Sequence, residues 1–149
     1  MNSASARIAR GAADDGWNRT GREVVVTGSM GPTGELFAPM GALDYDDAYA
    51  AFTAQATALA EGGVDMLWVE TMSSLEEVKA AIDAAAATGL PVAACMTFDT
   101  AAKTMMGVSP AEFAVQSAGF GAGFVGANCG IGPAELLHSV LEMLPATDA

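Results

Sequence analysis

Short apolar runs of β type alternate along the chain with longer alanine-rich stretches in which small and apolar residues recur at helical spacing. Residues 23–27 (EVVVT), 64–70 (VDMLWVE), 91–98 (PVAACMTF) and 122–127 (AGFVGA) read as strands. Residues 45–61, 75–88, 110–118 and 133–144 read as helices, and residues 1–15 as the end of another. The punctuation agrees. Gly62-Gly63 stop one helix, Ser74 with Glu77 makes a capping box for the next, and Gly89 ends it. Ser109 precedes Pro110, which takes a first helical position. Strand–helix units in series predict an α/β fold with a parallel sheet, and the nearly continuous apolar strands suit burial on both faces. Doubly wound and barrel arrangements fit this pattern equally. No linker or fixed-period repeat divides residues 1–149, so a single domain is expected.

Composition narrows the classes. Hydrophobic residues make up 52% of the 149 and charged residues 16%, enough apolar material for a core and too much for disorder. No apolar run reaches the ~18 residues of a membrane span, and the first residues lack the apolar centre of a secretory signal. The sequon Asn18-Arg19-Thr20 carries no meaning without a secretory route. Net charge is −12, from 18 acidic and 6 basic side chains. Arg7, Arg10, Arg19 and Arg22 lie at the start, and from Glu23 onward only Lys79 and Lys103 are basic. Such a surface repels phosphate backbones, so neither nucleic acid nor membrane is an expected partner. Cys95 and Cys129 make no disulfide framework, which points to a reducing cytoplasm.

Chemistry gathers just past the strand ends: Gly28-Ser29, Glu70-Thr71, Thr97-Phe98-Asp99 and Asn128-Cys129-Gly130. In a parallel α/β sheet the carboxyl ends of the strands carry the site, so these groups share one rim. The loop from Gly28 to Gly34 lacks the Gly-Lys-Ser/Thr ending of a phosphate loop. It reads either as a plain turn or as a tight loop whose amides hold a carboxylate.

GSMGPTGEL, VDMLWVETMSSLEE, MTFDTAAKTMMGVSP and VGANCGIGP occur in this order. Together they resemble the homocysteine S-methyltransferase family, in particular its betaine–homocysteine and cobalamin-dependent methionine synthase branches, over residues 1–145. The resemblance implies a (β/α)8 barrel, of which this chain supplies about four βα units, strands three to six. A barrel typically takes about 250 residues. The family's first two strands, with an acidic residue near the substrate, and its last two, with a Gly-Gly-Cys-Cys pair, have no counterpart in residues 1–149. We expect either a natural truncation or an incomplete gene model.

What the resemblance implies for individual residues is specific. Cys129 matches the cysteine that joins the two late cysteines in holding zinc, with the homocysteine sulfur as fourth ligand. Glu70 matches the glutamate that holds the substrate's ammonium. Their places on the same rim, rather than the resemblance, make Ser29, Thr97 and Asn128 candidate substrate-binding residues, with Asn128 orienting the cysteine loop. The implied partners are L-homocysteine and a small methyl donor such as betaine, S-methylmethionine or a methyl-corrinoid, and the implied product is methionine. Each residue also has a plainer reading: a packed cysteine, a solvated glutamate, a turn asparagine, a loop-capping threonine. Cys95 and Trp68 read as core, Met105-Met106 as gap-filling packing in preference to the lining of a donor cleft, and His138 as facing outward on the last helix.

Two rivals remain. A catalytically inactive fragment or partner subunit would keep the sheet without a complete metal site. An aldolase-type lyase would need a Schiff-base lysine on a strand, but Lys79 lies in a helix and Lys103 in a loop. Half a barrel would leave unpaired strand edges near residues 23–27 and 122–127, and a homo-oligomer is one way to cover them.

Overall fold

The computed structural model describes residues 1–149 apart from the side chain of residue 100. Its sheet has four parallel strands, β1 (Thr27–Met30), β2 (Met66–Met72), β3 (Val92–Met96) and β4 (Phe124–Ala127), in the order β1-β2-β3-β4. Helix α1 (Asn2–Thr20) precedes β1. Helices α2 (Tyr45–Glu61), α3 (Leu75–Ala86), α4 (Pro110–Phe120) and α5 (Pro133–Met143) follow the strands in turn. The order separates the two architectures that the pattern left open. Right-handed crossovers between strands that are neighbours in both chain and sheet place every helix on the same face. A doubly wound sheet reverses direction and puts helices on both faces. This sheet is part of a barrel wall.

The local reasons include the predicted Ser109 cap and three that the pattern reading did not mark, at Asp44, Gly21 and Gly121. Asp44 accepts from the Asp47 amide at 2.9 Å at the start of α2, and Ser109 from the Glu112 amide at 3.3 Å at the start of α4. Gly21 and Gly121 end α1 and α4 with φ of 67° and 107°, a conformation that side chains with a Cβ disfavour. Helix bounds match expectation within two residues at the end of α3, α4 and α5, while α1 extends through Thr20.

β1 departs from expectation. The run EVVVT is not the strand; pairing begins at Thr27, opposite Met66, and ends at Met30, opposite Val69. The Asp65 carboxylate explains the shift. It accepts the Val26 amide at 2.7 Å while Arg10 grips both of its oxygens at 2.9 Å, so the chain joins the sheet only after this clasp. Val24 and Val25 stay 48% and 60% exposed. Gly28 takes a helix-facing place because a Cβ there would lie 3.0–3.2 Å from Leu67 and Leu59. β2, β3 and β4 likewise begin one or two residues later than their apolar runs.

The helix-covered face holds the core. Met30, Leu67, Val69, Met72, Ala94 and Met96 are fully buried there, in one cluster with Phe52, Val78, Ile82 and Phe113. Burying a large apolar side chain contributes about 1.5–3 kcal/mol, so this layer is the main source of stability. The opposite face carries Ser29, Trp68, Glu70, Ala93, Cys95, Phe124 and Gly126, in register across the strands. Trp68 is only half-buried there, so the expectation of a core tryptophan is corrected: it faces the side that no helix covers.

Both outer strands lack a second neighbour, and Phe124 on β4 is 57% exposed. Beside it α5 exposes Leu137, Leu141 and Leu144, one stripe at helical spacing. A second copy would not close the barrel, since two copies bring more helices than an eight-stranded barrel has positions for. The isolated chain is therefore expected to self-associate through these apolar edges, with an apparent mass in sedimentation that rises with concentration. A compact monomer that unfolds cooperatively at all concentrations would contradict this.

Candidate functional site

Ser29, Glu70, Thr97, Asn128 and Cys129 all lie at the carboxyl end of the sheet, as the strand-end clustering predicts. Hydrogen bonds join them. Glu70 sits near the end of β2 on the open face. Its Oε1 accepts a short bond from the Ser29 hydroxyl, and its Oε2 lies 3.5 Å from the Asn128 side-chain amide. One carboxylate oxygen is thus held from the neighbouring strand β1 and the other from beyond β4, across the end of β3, and the group is only half-buried. A carboxylate fixed in this way, with access to solvent, can receive a cation.

Asn128 follows β4 and is the most connected side chain of the rim. Its Oδ1 accepts the Thr71 amide at 2.9 Å. Its Nδ2 donates to Thr71 Oγ1 at 2.7 Å and lies 3.4 Å from Cys129 Sγ. Its own backbone carbonyl accepts from Thr97 Oγ1 at 3.2 Å. Thr97 in turn donates its amide to the Met72 carbonyl at 2.9 Å, which carries the β2–β3 ladder to the rim. Asn128 therefore reaches across the end of β3 and ties β4 to β2.

Cys129 is exposed and stands at φ 59°, an uncommon conformation for a residue with a side chain. Gly130 follows at φ 78°, and a Cβ on it would lie 2.5 Å from the Phe98 carbonyl oxygen. Only glycine lets this turn pack against the β3 rim and lift the Cys129 thiol out of the sheet. The plain packing role weighed for this cysteine does not fit its exposure.

The glycine-rich loop after β1 does hold a carboxylate, but one from this chain. The amide and hydroxyl of Thr33 both donate to Glu77 Oε1 at 2.7 Å, and Glu77 is 4% exposed. This corrects the capping box. Ser74 caps the Glu77 amide at 3.2 Å as expected, but the Glu77 side chain reaches to Thr33 rather than back to Ser74. Its place in the first turn of α3 also suits a negative charge. Between this loop and the segment after β3 opens a cleft of about 290 Å³, whose walls include Pro32, Leu36, Thr71, Thr97, Asp99 and Met105. Met105 is 74% exposed there, which corrects its assignment as packing.

Cys95 is buried in β3, as expected, and its thiol is pushed up to about 11, first by burial and then by the charge of Glu70. It is protonated and inert at neutral pH. His138 is exposed on α5 and pairs with Glu142 at 3.0 Å. Among the described residues no group of three or more His, Cys, Asp or Glu side chains is placed to hold a metal ion. Nor is any helix long and apolar enough to cross a membrane. Sequence reasoning missed the part Thr71 plays and the Glu77–Thr33 pair. The Ser-x-x-Glu start pointed to Glu77 only as a cap, and the strand-end pattern placed Thr71 on the rim without giving it a role.

The chain is similar to known proteins in sequence and in fold. The homocysteine S-methyltransferase family model matches residues 1–149. Methionine synthase of Mycobacterium tuberculosis is 34% identical over 137 residues, 87% of this chain and 11% of that protein. Betaine–homocysteine S-methyltransferase 1 of Mus musculus is 30% identical over 149 residues, all of this chain and 34% of that protein. Among solved structures, the apo form of the homocysteine methyltransferase MmuM from Escherichia coli superposes with a TM-score of 0.80 at 19% identity, covering 99% of this chain and 58% of that one. Its metallated form gives 0.79 at 20% identity, over 97% and 54%. The chain thus spans about a third or less of these curated relatives and just over half of the solved enzyme.

Proposed function

This chain belongs to the homocysteine S-methyltransferase family, and we propose that residues 1–149 form the homocysteine-binding part of a barrel that methylates L-homocysteine to methionine. The observation that carries the proposal is the bonded series Ser29–Glu70–Asn128–Cys129 on the helix-free face at the carboxyl end of the sheet. Glu70, fixed by Ser29 and Asn128, receives the substrate's ammonium, while Thr97 and Ser29 line its approach. The homocysteine sulfur then lies toward Cys129. In the reaction the homocysteine sulfur, its proton given up to solvent, attacks the methyl carbon in one step; the S–C bond forms as the bond from methyl to donor breaks, and the demethylated donor leaves with that electron pair. Holding donor and acceptor in line supplies much of the rate. Betaine, S-methylmethionine and a methyl-corrinoid are all donors of the required kind. Two free thiols suit a reducing cytoplasm.

Cys129 is proposed as one ligand of a zinc ion. When bound, zinc favours the thiolate form of the thiols it coordinates, including that of a substrate. The described residues do not by themselves make such a site, since no group of three ligands exists among them. Further ligands are proposed to come from outside residues 1–149. The same observation favours a second reading for the isolated chain, a binding half that is catalytically inactive until completed. The test is methionine formation by a complete barrel that contains residues 1–149, supplied in turn with each donor. Glu70→Ala is expected to raise the KM for homocysteine more than it lowers kcat. An unchanged KM would remove Glu70 from the substrate.

A further inference from the structure

The β2 ladder breaks one residue past Glu70. Its register with β3 shifts between Val69 and Met72, and Thr71 stands in the gap at φ 64°. A β-branched residue in the left-handed region is a strained outlier, and such outliers cluster where surrounding structure uses them. The bulge has a geometric result. Trp68 and Glu70 face the open side, and without an extra residue Met72 would follow them there. Instead Met72 is fully buried among the helices. The bulge thus lets one strand keep a carboxylate on the open face and a core methionine two residues later.

The same residue fixes an amide. A backbone N–H can only donate, so the Thr71 amide requires the oxygen of Asn128 to face it. Thr71 Oγ1 then accepts from Nδ2. Together they settle which way the Asn128 amide points, a choice that packing alone leaves open. The nitrogen is turned toward Glu70 Oε2 and Cys129 Sγ, the two groups on the rim best served by a donor.

We infer that Thr71 is a positioning residue, acting through Asn128 to hold Glu70 and Cys129 in one geometry; the inference rests on the homocysteine reading above. Thr71→Gly and Thr71→Ser in a complete barrel containing residues 1–149 test it. Glycine adopts φ 64° without strain, so the bulge survives while the hydroxyl is lost. Serine keeps the hydroxyl. Thr71→Gly is expected to melt near the wild-type temperature yet lose about 10–100-fold in kcat/KM for homocysteine, as loss of a ligand-orienting partner does. Thr71→Ser is expected to stay close to wild type. On residues 1–149 alone, Asn128→Ala should speed hydrogen exchange of the residue 71 amide. A purely structural threonine predicts the opposite pattern, with glycine fully active. Full activity of Thr71→Gly, equal loss in the serine variant, or unaltered exchange at residue 71 would each overturn the inference. A wild-type barrel that neither binds nor methylates homocysteine would sink the functional reading itself, and this inference with it.

Discussion

Cys129→Ala in a complete barrel is expected to abolish both metal retention and methyl transfer, and residues 1–149 alone are expected to show neither. Cys129 is exposed at the rim, 3.4 Å from a side-chain amide that can donate to it, and no other cysteine lies outside the core. Cys95 cannot substitute. It is buried mid-strand, and its thiol is raised to about 11. A complete structural zinc site is worth roughly 10–16 kcal/mol in apparent binding, and a single thiolate recovers only a small part of that. Without a metal the substrate thiol keeps an ordinary pKa near ~8.5, so only a few per cent is thiolate at neutral pH. Metal content by elemental analysis and methionine formation on the same samples check this. Stoichiometric zinc with turnover on residues 1–149 alone would show that the account of the site is wrong.

That expectation draws on both the sequence and the structure, and the two contributed differently. Strand-end clustering was readable because parallel α/β folds gather chemistry at one end of the sheet, and Ser29, Glu70, Thr97, Asn128 and Cys129 duly meet there. Helix ends were readable because caps are local. Ser109 with Pro110 needs no tertiary contact to act. The choice between barrel and doubly wound sheet was not readable from the apolar runs alone, because it depends on strand order, a long-range property; the barrel came from the family resemblance of the four motifs, and the strand order bears it out.

Two misses have the same physical origin. The apolar run EVVVT looked like the strand, but a side chain 39 residues away, the carboxylate of Asp65, takes the Val26 amide and delays pairing. Glu77 looked like the second half of a capping box, but Thr33, 44 residues earlier, offers it two donors in a buried place. In each case a tertiary partner outbid a local one. Thr71 is a different kind of miss. The strand-end pattern placed it on the rim, but its backbone runs against the propensity of its own residue type, so pattern reading is bound to pass over its conformation and its contacts.

Phe113→Ala should cost about 3–5 kcal/mol, a large share of the 5–15 kcal/mol that holds an ordinary domain together. Phe113 on α4 is fully buried, and its ring meets that of Phe98 edge to face at 6.1 Å and 63°. Truncation leaves a cavity beneath β3 and removes an aromatic pair worth about 0.5–1.5 kcal/mol beyond its buried area. The damage also reaches the rim. The Phe98 carbonyl is the surface on which the Gly130 turn rests, and the neighbouring Thr97 hydroxyl holds the Asn128 carbonyl. When Phe98 loses its support, the turn that carries Cys129 loses its floor. Urea unfolding should therefore show the stability loss, and hydrogen exchange should rise first at residues 97–98 and 128–130 rather than in α2. Phe113→Leu keeps most of the volume and should cost less than half as much. A Phe113→Ala protein as stable as the parent, or one whose extra exchange appears only in α4, would mean that the rim does not depend on this contact.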